Sequence, residues 1–232
     1  MTNSFRTTNS TGLINKDKKI NFSFNGTIYQ GYEGDTLASA LIANGVHLVG
    51  RSFKYHRPRG FLGVGVEEPN AMVQLHDGNK SEPNIIATEV ELVEGLNAKS
   101  QNCWPSVQFD IGEINNVLNR FFPAGFYYKT FMWPKSFWMK IYEPFIRKAA
   151  GMGKAPLLPD PDRYEHNYEH CDVLVVGSGP SGLASALAAA KNGARVILAE
   201  DKPNFGGSLL TDEVTIGNMS GREWASDTIS QL

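Results

Sequence analysis

Apolar and polar positions alternate from Ile20: Ile20, Phe22 and Phe24 fall on one face of an extended segment, Asn25-Gly26 is a preferred two-residue hairpin turn, and residues 27–32 return. The period then lengthens. Residues 36–44 predict a short helix that buries Leu37 and Leu41, with Asp35 accepting bonds from its first free N–H groups and Gly45 left-handed after its end. Residues 71–75, a turn at His76-Asp77-Gly78-Asn79, and β-rich pieces at 84–88 and 90–93 follow.

A hairpin, a helix and more strands in so short a stretch predict a small α+β domain of β-grasp type over 20–97, after a polar, flexible 1–19. Within it, Arg51, Lys54, Arg57 and Arg59 place four positive charges in nine residues, interleaved with Phe53 and Tyr55. This predicts a surface loop, either solvated or salt-bridged, or else in contact with an anion or a partner subunit, because Arg binds carboxylate and phosphate bidentately. His56 alone makes no catalytic argument. Residues 98–170 differ in composition: 121–145 holds eleven of the chain's 25 aromatic residues. Such a segment needs cover, either as a connector packed across neighbouring domains or at a subunit interface. Pro156, Pro159 and Pro161 then predict an extended linker.

Residues 171–232 carry the strongest chemical pattern. The apolar run 173–176 reads as a parallel strand buried on both faces and leads directly into Gly177-Ser178-Gly179-Pro180-Ser181-Gly182. An Ala- and Leu-rich helix follows over 183–192, Gly193 ends it, and 195–199 form a second strand that stops at Glu200. Each residue type has a mechanical reason. Gly177 permits the tight turn, Gly179 lets the backbone approach a pyrophosphate, and Gly182 allows close helix–strand packing. Phosphates sit at the helix N-terminus, where free N–H groups and the dipole favour an anion. Glu200, followed by Asp201, stands where a carboxylate accepts hydrogen bonds from an adenosine ribose and repels a 2′-phosphate. Gly206, Gly207 and Ser208 add a small-residue turn beside the expected cofactor. The pattern predicts the start of an α/β Rossmann-type dinucleotide-binding domain, leaving FAD or NAD open. From Asp172 only 61 residues remain, too few for both halves of that fold, so a fragment of a longer polypeptide is expected. Residues 211–216 read as part of a β-ribbon and 222–231 as a helix.

Twenty-two Lys+Arg against 24 Asp+Glu give a net charge of −2, which argues against bulk nucleic-acid binding. No segment reaches 18 apolar residues, so no membrane span is expected, and the polar N-terminus is no export signal. Cys103 and Cys171 form neither a disulfide framework nor a metal set; both read as small buried hydrophobes in a cytoplasmic protein.

The runs at 34–41, 67–71, 100–102, 104–106 and 125–132, together with Val49-Gly50-Arg51-Ser52-Phe53-Lys54-Tyr55-His56-Arg57-Pro58-Arg59-Gly60, resemble the amino-terminal region of the α subunits of heterotetrameric sarcosine oxidases. The resemblance implies a cytosolic complex that demethylates sarcosine oxidatively to glycine and hydrogen peroxide and, with tetrahydrofolate, to methylenetetrahydrofolate. It further implies NAD held at Gly177, Gly179, Gly182 and Glu200, with FAD and FMN in the complete complex. Sarcosine and tetrahydrofolate would bind parts outside this chain, and no residue here matches an amine-oxidising active site. The first domain also resembles [2Fe–2S] ferredoxins, but the cysteine spacing of that cluster is missing, so no cluster is expected. The rival readings are an α subunit of another FAD-dependent amine or opine dehydrogenase, and a non-catalytic assembly module stabilised by its dinucleotide.

Overall fold

The computed structural model describes residues 5–7, 13–122, 125, 131–153 and 155–232. Parts of the flexible 1–19 reading and most of the 125–132 run lie outside the described residues. The chain forms two compact units, one up to Asp162 and one over Arg163–Leu232.

In the first unit, strands β1 (Asn15–Phe24) and β2 (Thr27–Glu33) pair antiparallel around Asn25 and Gly26, whose φ angles of 50° and 79° suit the two-residue turn. The strand begins five residues before Ile20, because Asn15 already pairs with Glu33. Helix α1 (Leu37–Ala43) buries Leu37 and Leu41 as its spacing predicts. Its N-cap is Thr36 rather than Asp35: Thr36 and Ser39 close a reciprocal capping box. Asp35 is buried and turns the other way, accepting from the Tyr32 N–H, the Ser39 hydroxyl and the Arg6 guanidinium.

Strands β3 (Gly50–Arg51) and β4 (Pro58–Arg59) make a small hairpin of their own. Strands β5 (Met72–Leu75), β6 (Glu82–Ile86) and β7 (Asn97–Ser100) complete a five-stranded sheet in the order β2-β1-β7-β5-β6, with β1 and β7 parallel. The expected strand at 90–93 is not one. Its backbone instead bonds across the start of α1, with Leu92 N–H to Asp35 and Val90 accepting from Leu37, so that Leu92 enters the core. That core joins Phe22, Leu37, Leu41, Val49, Val73 and Leu92, each side chain contributing roughly 1.5–3 kcal/mol on burial.

The basic loop is salt-bridged, as one of its readings expects, and clasps the following segment, while Arg57 and Arg59 stay exposed. Arg51 is buried and donates to the carbonyls of Val107 (2.8 Å), His56 (3.0 Å) and Gln108 (3.2 Å) and to Glu113 (3.0 Å). His56 Nδ1 meets the buried Asp110 carboxylate at 2.5 Å, Lys54 and Tyr55 donate to the Phe122 carbonyl, and Arg57 donates to Asn116. Together they fix helix α2 (Ile114–Val117) and its flanks. Further on, α3 (Glu143–Ala149) follows two short turns. Described aromatics here remain open, Trp133 at 82% and Phe121 at 72% exposure, against the cover the sequence asks for; no described residue of the chain packs over them to that extent.

The second unit is a β-α-β arrangement. Strands β8 (Val173–Val176) and β9 (Val196–Ala199) pair parallel, joined by helix α4 (Pro180–Lys191), and a ribbon of β10 (Thr215–Ile216) and β11 (Met219–Ser220) leads into helix α5 (Gly221–Gln231). Leu183 of α4 meets Leu209 and Ala225 in a small core. The reading of β8 as buried on both faces does not hold in this structure: Leu174 is 58% and Val176 80% exposed, because the sheet has only two strands among the described residues.

Candidate dinucleotide site

The fingerprint loop turns between β8 and α4. Gly177 has φ +94°, a conformation that favours glycine, and it hands its N–H back to Ala199 of β9 at 2.8 Å. At Gly182 a Cβ would stand 1.9 Å from the Gly177 carbonyl oxygen, so the helix can sit this close only without a side chain. Gly179 differs. Nothing lies within 4 Å of the point where its Cβ would stand, which leaves its backbone open to a bulky anion. It also forms the N-cap of α4 with no side chain capping that end, while Pro180 begins the helix and Ser181 lies exposed in its first turn. A twelve-residue helix directs its unpaired N–H groups and positive dipole end into this opening.

Glu200 follows β9 directly and faces the same loop. Its Oε2 accepts from the Ser178 N–H (2.7 Å) and hydroxyl, and its Oε1 from the N–H groups of Asp201 (3.0 Å) and Lys202 (3.1 Å). The Ser178 hydroxyl, helped by the Ser178 and Lys202 N–H groups and the Asp201 side chain and outweighing desolvation, lowers its pKa to about 2. The carboxylate is therefore anionic at neutral pH and oriented before any ligand arrives. Gly207 abuts the loop, a Cβ there standing 2.9 Å from Gly179 Cα, and Ser208 continues the 3₁₀ turn Gly207–Leu210. The structure thus brings Gly177, Ser178, Gly179, Pro180, Ser181, Gly182, Glu200, Asp201 and Gly207 to one crevice. Ser208 contributes a turn: its carbonyl accepts from Thr211 and Asp212. An open backbone at Gly179 beside a preset carboxylate fits the ADP portion of a dinucleotide.

Reading the sequence missed Glu68. This buried carboxylate accepts four backbone N–H bonds, from Leu62 (2.6 Å), Gly63 (2.7 Å), Asn70 (2.7 Å) and Ala71 (3.2 Å). Burial pushes its pKa up, but the four donors outweigh that and leave it below the ordinary value. The adjacent glycines Gly63 and Gly65 were the available signal. Both cysteines are unpaired and half-buried rather than buried; desolvation, then the Asp110 charge, raises the Cys103 pKa against the lowering effect of Arg51. That thiol stays protonated and unreactive at neutral pH.

These features define a class: a small mixed α/β domain followed by the beginning of a dinucleotide-binding unit. Residues 17–103 match the family model of a 2Fe-2S iron-sulfur cluster binding domain, and 172–230 match that of FAD dependent oxidoreductases. The particular likeness is to sarcosine oxidase α subunits, as the sequence runs indicate. The chain is 57% identical over 221 residues to the sarcosine oxidase subunit alpha of Rhizobium meliloti (strain 1021), covering 95% of this chain and 22% of that protein. It is 33% identical over 223 residues to that of Corynebacterium sp. (strain U-96), covering 94% of this chain and 18% of that one. A stretch of 44 residues, 19% of this chain and 9% of the other, is 52% identical to a soluble pyridine nucleotide transhydrogenase of Marinobacter nauticus (strain ATCC 700491 / DSM 11845 / VT8). The chain therefore spans about a fifth of the length of the sarcosine oxidase subunits it matches.

These matches bear on two cofactor expectations. Against the NAD expectation, the family matched over 172–230 is one of FAD dependent oxidoreductases, the alternative that the fingerprint leaves open. The expectation of no cluster is overturned by the match of 17–103 to a cluster-binding family. As to fit, a [2Fe–2S] centre of that kind is held by four thiolates, and Cys103 is the single cysteine within 17–103. Among the described residues no group of three or more His, Cys, Asp or Glu is gathered as a metal site, and no helix is long and apolar enough to cross a membrane.

Proposed function

We propose that this chain is the amino-terminal part of a sarcosine-oxidase-type α subunit, in which the second unit binds the ADP portion of FAD. The 57% identity to such a subunit over 95% of the chain carries the reading, and the crevice at Gly179 agrees with it. In finer terms, the first unit is a β-grasp arrangement of one helix on a mixed sheet, and the second is the opening βαβ of a Rossmann-type domain. The partners are the other subunits of a hetero-oligomer in the cytoplasm, with sarcosine and tetrahydrofolate held by parts outside these residues.

Bound flavin supplies the two-electron acceptor for oxidation of an amine C–N bond. The residues here bind and orient. Gly177 and Gly182 set the turn, Gly179 admits the pyrophosphate, the α4 N-terminus neutralises it, and Glu200 accepts the ribose hydroxyls. No residue of the chain is assigned to proton transfer.

The test is to co-express the full-length polypeptide with its partner subunits, heat-denature the purified complex, and identify released nucleotides by chromatography and mass spectrometry. FAD in stoichiometric amount, with one equivalent lost in Gly179→Ala, supports the assignment. An unchanged nucleotide content in that variant overturns it.

A further inference from the structure

Ser178 occupies an x position of the fingerprint, yet it is fully buried and all its polar groups are engaged. Its N–H and its hydroxyl both donate to Glu200 Oε2. Its hydroxyl oxygen and its carbonyl in turn accept from the Gly206 N–H, at 3.2 and 3.1 Å. One hydroxyl therefore spends its single proton on the carboxylate and a lone pair on the turn that bounds the other side of the crevice. Alanine would make the same backbone bonds at this site, so the hydroxyl is a separate device.

We propose that Ser178 is a positioning residue for the ribose-binding carboxylate: its hydroxyl holds Glu200 oriented, and joins it to the Gly206 turn so that carboxylate and turn keep one geometry. The proposal rests on the dinucleotide reading above. The charged groups beside Glu200 are Asp201 and Lys202 on its own turn; neither the loop 177–182 nor the turn 205–207 that faces it carries a titratable side chain. With the hydroxyl gone, the largest influence lowering the Glu200 pKa is gone too, and its titration moves back toward 4.5.

The experiment is calorimetric titration of nucleotide-depleted full-length complex with ADP at about pH 7.5 and about pH 4. Ser178→Ala is expected to bind roughly tenfold more weakly than wild type at the higher pH and several-fold more weakly again, relative to wild type, at the lower. Ser178→Thr, which keeps a hydroxyl, should bind within about threefold of wild type. Wild-type affinity in Ser178→Ala overturns the proposal, and so does an equal loss at both pH values, the mark of a packing effect alone. Should Ser178→Thr fail to fold, the pH ratio of Ser178→Ala decides. Glu200→Gln separates the two levels: if it binds ADP like wild type, the dinucleotide reading itself falls, and this proposal with it.

Discussion

The Arg51 guanidinium meets the Val107 carbonyl at 2.8 Å in a site where Val107 is itself buried, so a charged side chain holds two segments together from the inside. Hydrogen bonds from a charged donor contribute more than neutral ones, and their removal leaves buried carbonyls unpaired. Arg51→Ala is expected to destabilise the first unit by about 3 kcal/mol, and Arg51→Lys by nearly as much, since an ammonium cannot reproduce the fork toward Val107, Gln108, His56 and Glu113. Chemical denaturation measures the loss, and proteolysis should first cut between 103 and 122. A lysine variant as stable as wild type would contradict this account.

Glu68 predicts a pH dependence. Its folded pKa lies below the unfolded one, so its contribution is fully present above the unfolded value and is lost as pH falls through the folded one. Stability of the first unit should accordingly drop on acidification below about pH 4.5, and Glu68→Gln should both lower stability by about 2 kcal/mol at pH 7 and flatten that part of the profile. Thermal unfolding between pH 3 and pH 7 tests both; a parallel profile in the variant would exclude Glu68 as its source.

The fingerprint glycines should separate by phenotype. Gly182→Ala drives a Cβ into the Gly177 carbonyl and is expected to destabilise the second unit by several kcal/mol, on the order of 2–4. Gly179→Ala meets nothing within 4 Å and should fold within about 0.5 kcal/mol of wild type while losing nucleotide. Equal stability effects at the two positions would refute the division between packing and ligand approach.

Thr228 is buried on α5 with no hydrogen-bond partner for its hydroxyl, and so carries desolvation without a return. Thr228→Val, which keeps the shape, should be neutral or stabilising by about 1 kcal/mol in a denaturant titration. A clear loss would show that the hydroxyl does bond in solution.

Local patterns were the legible part. The Asn25-Gly26 turn, the α1 face of Leu37 and Leu41, and the strand–glycine–helix order around Gly177 each depend on neighbours a few residues away, so spacing alone reveals them. What escaped depends on distant partners. The partners of Arg51 and Arg57 are hidden until residues 107–116 fold onto them, and Asp35 looks like a cap until Arg6 and Ser39 claim it. Leu92 reads as a strand residue because apolar character does not distinguish a sheet position from a plug over a helix start. Within the site, the positions were readable and the coupling was not: nothing in the spacing shows that Ser178 would tie Glu200 to Gly206.

The order of strands has a consequence for how the chain comes to be folded. Strand β1 is flanked by β2, three residues on, and by β7, which begins at Asn97. The β1–β2 hairpin can close as soon as it is made, whereas the second side of β1 must wait for more than seventy further residues. During synthesis, then, the hairpin stands with Phe22 and Phe24 uncovered until α1 arrives, and the sheet becomes one cooperative body only when Ser100 has left the ribosome.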